Sequence, residues 1–104
     1  MFARVTTYSG APENIERALA TYREQVLPWV RDATGFRGLV VLLDREREEG
    51  VALTFWTDEA ALLDNVASGA ALRDEIAEAA ETPIVAVRSY EMLAADELAL
   101  DDQS

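Results

Sequence analysis

The stretch Phe55–Ser68 constrains the fold more than any other part of the sequence. In it, a predicted strand runs directly into a predicted helix. Residues 51–56 are apolar on both alternations, which is typical of a buried strand. Thr57 or Asp58 then caps a helix whose acidic first turn suits the positive end of the helix dipole. We expect this helix to break near Ser68 and Gly69 and then to resume.

The remaining elements follow from the same two periodicities. Residues 2–8, 36–44 and 84–93 are rich in residues that favour strands, and residues 13–33 are apolar every three or four positions, as in a helix. Pro28 falls late in that helix and should kink or end it. The order β-α-β-β-α-β is the ferredoxin-like pattern. It predicts an α+β fold with a four-stranded antiparallel sheet.

One domain is expected from 104 residues, and we place it at residues 1–94, with an acidic tail at residues 95–104. Two helices cover only one face of such a sheet, yet the later three strands are apolar on both faces. A bare apolar face of this size is unusual in a monomer. We therefore predict a homodimer in which two sheets pack face to face.

Composition excludes several classes of chemistry and partner. The chain has no Cys, His or Lys, so thiolate nucleophiles, Schiff bases and His-based triads are unavailable, and no metal site is expected. A net charge of -11 argues against nucleic acid or an anionic membrane as a partner. Without a long apolar run, we expect a cytoplasmic protein.

Two short motifs flank the second and third strands. Pro28, followed by Gly35–Gly38, leads into the second strand, and Trp56–Leu62 enters the second helix. With the element order over residues 2–93, they resemble the antibiotic biosynthesis monooxygenase-type domain of the dimeric α+β barrel superfamily. This resemblance implies a cavity between sheet and helices for a planar aromatic substrate such as a polyketide quinol. Some relatives oxidise such substrates with molecular oxygen and no cofactor, and others bind and degrade haem.

The resemblance also implies roles for single residues. Aligned without a gap, Trp56 matches the family Trp and Ser68 a later Ser, while Asn65 stands where the family usually has His. Aligned at the helix cap, Phe55 takes the Trp place and Asp64 the His place. Both registers lack the His. We prefer the first, so Trp56 and Asn65 are the candidate catalytic residues.

The missing His changes the expected chemistry, because His is the usual haem ligand and the usual base near neutral pH. Asn65 can orient a substrate oxygen but cannot remove a proton. We therefore expect no haem and no other cofactor. Cofactor-free oxygenation needs a substrate that deprotonates readily and a site that stabilises its anion. Arg4 or Arg88, on neighbouring outer strands, could stabilise that anion if either faces the cavity.

The ligand-binding candidates are Thr6, Tyr8, Tyr22 and Arg88. Thr6 or Tyr8 is nearest to a polar pocket residue that some family members carry on the first strand. Tyr22 lies on the apolar face of the first helix. Each has a structural alternative, since Tyr22 and Trp56 are typical core residues and Tyr8 and Arg88 could pack at a dimer interface.

Two functions remain open at this point. The first is a small cofactor-independent monooxygenase acting on an aromatic polyketide- or quinol-type metabolite. It predicts a closed, mostly apolar cavity with Trp56 and Asn65 in its wall. The alternative is a non-catalytic dimeric module that binds a small molecule or supports another protein. It predicts that replacing Asn65 by Ala changes ligand affinity or nothing at all.

Overall fold

One antiparallel sheet with helices on one face makes up the fold. The structure is a computed structural model that describes residues 1–96, and for residues 66–68 it describes the backbone alone. The strands are β1 (Phe2–Ser9), β2 (Phe36–Asp44), β3 (Glu49–Trp56) and β4 (Ile84–Glu91), in the order β2-β3-β1-β4. The helices are α1 (Pro12–Gln25), α2 (Leu27–Val30) and α3 (Glu59–Ala80). The predicted ferredoxin-like α+β fold is confirmed. The acidic part of the predicted tail, from residue 97 onward, lies outside the described residues.

β1 is an inner strand, paired with β3 on one side and β4 on the other. The expectation that Arg4 and Arg88 lie on two outer strands is therefore wrong for Arg4, because the split βαβ connection places the first strand between the third and fourth. In the β1–β4 register, Val5 lies opposite Arg88 and Arg4 lies opposite Ser89. Since paired residues share a face and neighbours alternate, Arg4 and Arg88 point to opposite faces of the sheet.

The first predicted helix is divided in two at Val26. Pro28 has no N–H and cannot donate to the carbonyl one turn earlier, so the regular helix ends before it. The N–H of Val26 still donates to the Tyr22 carbonyl at 2.8 Å, and the short helix α2 follows at Leu27. Val30 of α2 is fully buried, whereas Trp29 is 46% exposed.

α3 is one continuous helix, so the predicted break near Gly69 is wrong. Asp58 caps it, with Oδ1 accepting from the Ala61 N–H at 2.8 Å. It ends at Glu81, which has a left-handed φ of 59°. A mid-helix glycine costs about 1 kcal/mol relative to alanine. Here Gly69 is buried against the rest of the molecule, and packing outweighs propensity.

Three apolar clusters fill the layer between sheet and helices. Tyr8 lies in the first, Tyr22 in the second and Trp56 in the third. The opposite sheet face is less covered, and on it Leu42 is 54% and Tyr90 51% exposed. No helix within residues 1–96 is long and apolar enough to span a membrane.

Candidate functional site

Polar side chains interrupt the apolar layer between sheet and helices. Arg4 and Thr6 project from β1 toward the helices, and Thr54 of β3 lies directly beside Arg4 in the strand register. Arg73 faces them from α3. We call these four residues the polar centre, and none is more than 7% exposed. No Asp or Glu among the described residues is buried, so the polar centre contains two cations and no carboxylate.

Arg4 has unmet hydrogen-bonding capacity. Its Nε and Nη1 atoms are buried and have no hydrogen-bond partner among the described residues. Burial, and next the nearby charge of Arg73, lowers the pKa of Arg4 to about 10, so the guanidinium remains charged at neutral pH. A buried donor without an acceptor costs roughly 1–3 kcal/mol, and more when charged. The site therefore favours a ligand that brings an electron-rich oxygen to Arg4.

Arg73 lies over the bare backbone of Gly69, one helical turn earlier. A Cβ atom at Gly69 would lie 2.6 Å from Arg73 Nη1 and 3.4 Å from Trp29 Cζ3. A side chain at Gly69 would therefore require the end of the Arg73 side chain to move. Burial is also the main cause that lowers the pKa of Arg73.

Sequence reasoning missed Arg73 as a functional candidate. A signal for it existed in the inward stripe of α3, where Leu62, Asn65, Gly69, Arg73 and Ile76 follow at intervals of three or four residues. An arginine within a mostly apolar helical stripe either extends its charged end to the surface or buries that charge, and a buried charge is a functional candidate.

Tyr8 and Tyr22 are buried close to the two arginines. Burial, followed by the neighbouring Tyr22, raises the pKa of Tyr8 to about 12, and burial raises the pKa of Tyr22. Both phenols therefore stay neutral at physiological pH and keep an O–H donor. The positive charges of Arg4 and Arg73 lower both tyrosine pKa values and so partly offset the effect of burial. The four side chains are therefore close enough to interact electrostatically.

Trp56 is the last residue of β3 and lies in the third apolar cluster, at one end of this interior. It is 1% exposed, its Nε1 donates to Thr54 Oγ1 at 3.0 Å, and its ring meets the Phe36 ring edge-on at 5.4 Å. The hydrogen bond connects Trp56 to the polar centre. The indole is therefore held in place beside Thr54, which lies opposite Arg4 in the sheet.

Asn65 lines a surface cleft of about 430 Å³ between α2 and α3. The other lining residues are Trp29, Asp32, Ala33, Thr34, Ala61 and Asp64. Trp56 is not among them, so the cavity expected to hold both Trp56 and Asn65 in one wall is not this cleft. Trp29 lines the cleft and also lies against Gly69, so the cleft adjoins the turn of α3 on which Arg73 packs.

Arg88 lies apart from these residues. It is exposed and points away from the helices, on the opposite face of the sheet from Arg4. Among residues 1–96 there is no group of three or more His, Cys, Asp or Glu side chains that could hold a metal ion. Of the sequence-predicted residues, Thr6, Tyr8, Tyr22 and Trp56 are thus buried in the helix-facing interior, and Asn65 is buried in the cleft wall.

Comparison with known proteins agrees with this architecture. The sequence model described as antibiotic biosynthesis monooxygenase matches residues 1–81. A candidate antibiotic biosynthesis monooxygenase from Deinococcus radiodurans is 16% identical with a TM-score of 0.71, and the match covers 95% of this chain and 99% of that one. No match was found among curated proteins.

Two Streptomyces structures are also similar. A variant of SnoaB, a cofactor-independent oxygenase from Streptomyces nogalater, is 20% identical with a TM-score of 0.66, over 93% of this chain and 97% of that one. The ActVA-Orf6 monooxygenase of Streptomyces coelicolor, in complex with nanaomycin D, is 21% identical with a TM-score of 0.68, over 94% and 92%. At these identities the structures establish a shared fold.

Proposed function

The chain belongs to the antibiotic biosynthesis monooxygenase family, and we propose that it oxygenates an aromatic metabolite with molecular oxygen and no cofactor. The substrate is of the polyketide or quinol type and binds between sheet and helices. The observation that carries the proposal is Arg4, a buried cation whose Nε and Nη1 atoms lack partners among the described residues. A substrate oxyanion is the group that such a cation stabilises.

The chemistry begins with an acidic substrate, because the chain has no His and Asn65 cannot accept a proton. Arg4 stabilises the enolate or phenolate of the bound substrate and so lowers the pKa of its ionising group. The anion supplies the electrons that reduce oxygen. For an anthrone, a CH₂ group and O₂ become a C=O group and H₂O, with one oxygen atom retained and the other released as water.

The other residues of the interior bind and orient. Trp56 provides a rigid apolar wall that excludes water, which strengthens the electrostatic contribution of Arg4. Tyr8, Tyr22 and Thr6 offer neutral hydroxyl donors to substrate oxygens. Asn65 orients a substrate group at the cleft side.

The test measures oxygen uptake with anthrone and quinol substrates and identifies the product by mass. We expect Arg4→Met to lower kcat/KM by about 100-fold or more, the usual loss for one oxyanion donor. Arg23→Met, which removes an exposed arginine from α1, should leave the rate unchanged. Since Arg4→Met removes an unsatisfied buried charge, its melting temperature should not fall. Absence of turnover across the substrate panel, or full activity in Arg4→Met, would reject the proposal.

A second function is a non-catalytic ligand-binding module. It is favoured by the lack of any His and by Trp56, whose only polar atom already donates to Thr54. Asn65→Ala distinguishes the two functions. A module would show altered ligand affinity or no change and no oxygen uptake in either protein, whereas an oxygenase would show a changed rate. Nanaomycin D, the ligand of the Streptomyces coelicolor relative, is a suitable binding probe.

We also propose that the working form is a homodimer. Val5, Val51 and Leu53 on the sheet face away from the helices are only half-buried, and Leu42 at its edge is exposed. Two such faces packed together would remove this apolar surface from water. Arg88 points to this face and would then lie at or near the interface.

A further inference from the structure

The cleft between α2 and α3 combines an aromatic side chain with carboxylates, and no arginine lines it. Its volume of about 430 Å³ is within the range of small-molecule sites. Asp32 and Asp64 lie in its wall, and Ala33 and Ala61 give the wall an apolar part. In a chain of net charge -11, such a cleft attracts cations and repels anions.

Trp29 is held at this cleft while much of its side chain stays in contact with solvent. The next residue, Val30, is fully buried and fixes α2 against the core. A Cβ atom at Gly69 would lie 3.4 Å from Trp29 Cζ3, so part of the ring packs on the backbone of α3. Even so, Trp29 is 46% exposed. An indole that is both fixed and exposed offers its π surface to a cation.

Asp32 provides a carboxylate that the protein does not use for its own contacts. It follows Trp29 by three residues, is exposed, and makes no hydrogen bond or ion pair with the residues that the structure describes. Asp64, Asn65 and Arg73 already have interactions within the protein, and Arg73 does not line the cleft. Asp32 is therefore the group that can pair with an incoming cation.

We propose that this cleft binds an aromatic ammonium compound, with the ammonium group between the indole of Trp29 and the carboxylate of Asp32. Attraction to the π surface and to the carboxylate act on the same charge, and both groups are already exposed. The site goes beyond the proposed oxygenation, because neither Arg4 nor Trp56 lines the cleft. It also lies on the helix side of the sheet, away from the face proposed for the dimer.

The first experiment compares tyramine, 4-ethylphenol and 3-(4-hydroxyphenyl)propionate, which share one aromatic body and are cationic, neutral and anionic at pH 7. NMR follows binding through the indole N–H signals of the two tryptophans, assigned with Trp29→Phe. We expect tyramine to bind at least about fivefold more tightly than 4-ethylphenol and to shift the Trp29 signal but not that of buried Trp56. The propionate should bind more weakly than both. Equal affinity for tyramine and 4-ethylphenol, or a shift at Trp56 alone, would overturn the proposal.

Variants then assign the preference to the cleft. Asp32→Asn removes the charge and keeps the shape, so it should lower the preference for tyramine over 4-ethylphenol to below about twofold. Glu46→Gln removes the same charge from the exposed turn between β2 and β3, and it should retain the preference. An equal loss in both variants would mean diffuse attraction by an acidic chain and would refute the site.

Trp29→Leu tests the aromatic contribution. It should weaken tyramine binding more than 4-ethylphenol binding, because leucine has no π surface. If Trp29→Leu does not fold by circular dichroism, Trp29→Phe replaces it, since phenylalanine attracts cations less strongly than tryptophan. A preference for tyramine that is unchanged in the folded variant would reject the role of Trp29.

Two further measurements define the ligand class and separate this site from the proposed function. Ammonium chloride should shift the Trp29 signal only at concentrations at least about tenfold above those of tyramine, and an equal effect would reject an aromatic ligand. Tyramine binding in a protein that shows no oxygen uptake with any substrate would reject oxygenation and retain the cleft site. Oxygen uptake without a preference for tyramine would do the reverse.

Discussion

Arg4 is the residue whose chemistry and position disagree most with an ordinary core. A strand that faces a helical layer normally presents apolar side chains, and here it presents a guanidinium with two unpartnered nitrogen atoms among the described residues. Met at this position would be expected to cost nothing in stability. We propose that the arginine serves ligand binding, because two of its nitrogen atoms have no partner among the described residues.

The pH dependence of ligand binding follows from the shifted pKa values. Arg4, with a pKa of about 10, is cationic below that pH, and Tyr8, with a pKa of about 12, is neutral throughout the same range. An aromatic anion such as anthraquinone-2-carboxylate should therefore bind beside Arg4 with constant affinity from pH 6 to 9 and more weakly as the pH passes 10.

Isothermal titration calorimetry at stepped pH values checks this, with the uncharged methyl ester of the same compound as the control that should show no such decline. Loss of Arg4's proton does not itself unfold the chain, because its folded pKa lies below the unfolded value and a neutral guanidine is easier to bury. Circular dichroism at pH 10 verifies this. A decline in affinity that sets in near pH 7 would contradict the role of Arg4.

At the scale of elements, α3 links the fold to the site. Its inward stripe carries Asn65, Gly69 and Arg73 over the sheet, and its N-terminus, capped by Asp58, follows two residues after the end of β3. Because residues 66–69 lie within one continuous helix, the rotation of Arg73 relative to Asn65 is set by helical geometry. A break at Gly69, as the sequence suggests, would have uncoupled them.

The cap of α3 can be tested by itself. Asp58→Ala removes the acceptor of the Ala61 N–H and should lower the free energy of unfolding by about 1 kcal/mol. Asp58→Asn keeps a side-chain oxygen and should lose much less. Urea unfolding followed by circular dichroism measures both variants. Equal midpoints for the two would mean that the cap contributes little to stability.

At the scale of the whole molecule, the two faces of the sheet differ in how far they are covered. One face, with Arg4, Thr6 and Tyr8, encloses the interior with the helices. The other, with Val5 and Leu53, is left with partly exposed apolar side chains. A single chain therefore covers one face of its sheet but not the other, and we propose that a second copy covers the open face.

Leu42 and Leu63 provide a matched test of dimer formation. They are 54% and 55% exposed, but Leu42 lies on β2 and Leu63 on the outer side of α3. Leu42→Glu should shift the protein toward monomer in size-exclusion chromatography with light scattering, because a charge in an apolar interface is costly. Leu63→Glu should leave the mass of two chains unchanged. A monomeric parent protein would reject the dimer outright.

The sequence alone determined the kind and order of the elements, because hydrophobic periodicity is local and survives without knowledge of contacts. It also placed Arg4, Thr6 and Tyr8 on one face of β1, since side chains alternate along any strand. It could not tell that β1 is an inner strand, or that Arg4 and Arg88 point in opposite directions. Strand order depends on pairing between distant segments, and register decides which face a residue takes.

Only the tertiary structure brought Arg73 to Arg4 and showed why α3 passes through Gly69 without a break. In sequence, Gly69 is a weak helix former and Arg73 an ordinary surface residue. In the folded protein, the guanidinium of Arg73 lies where a side chain at Gly69 would be. Arg4 and Arg73, which are far apart in the chain, are buried close enough to affect each other's charge. Local sequence patterns cannot predict that Arg73 lies near Arg4, because this depends on which face of α3 packs against β1 in the complete fold.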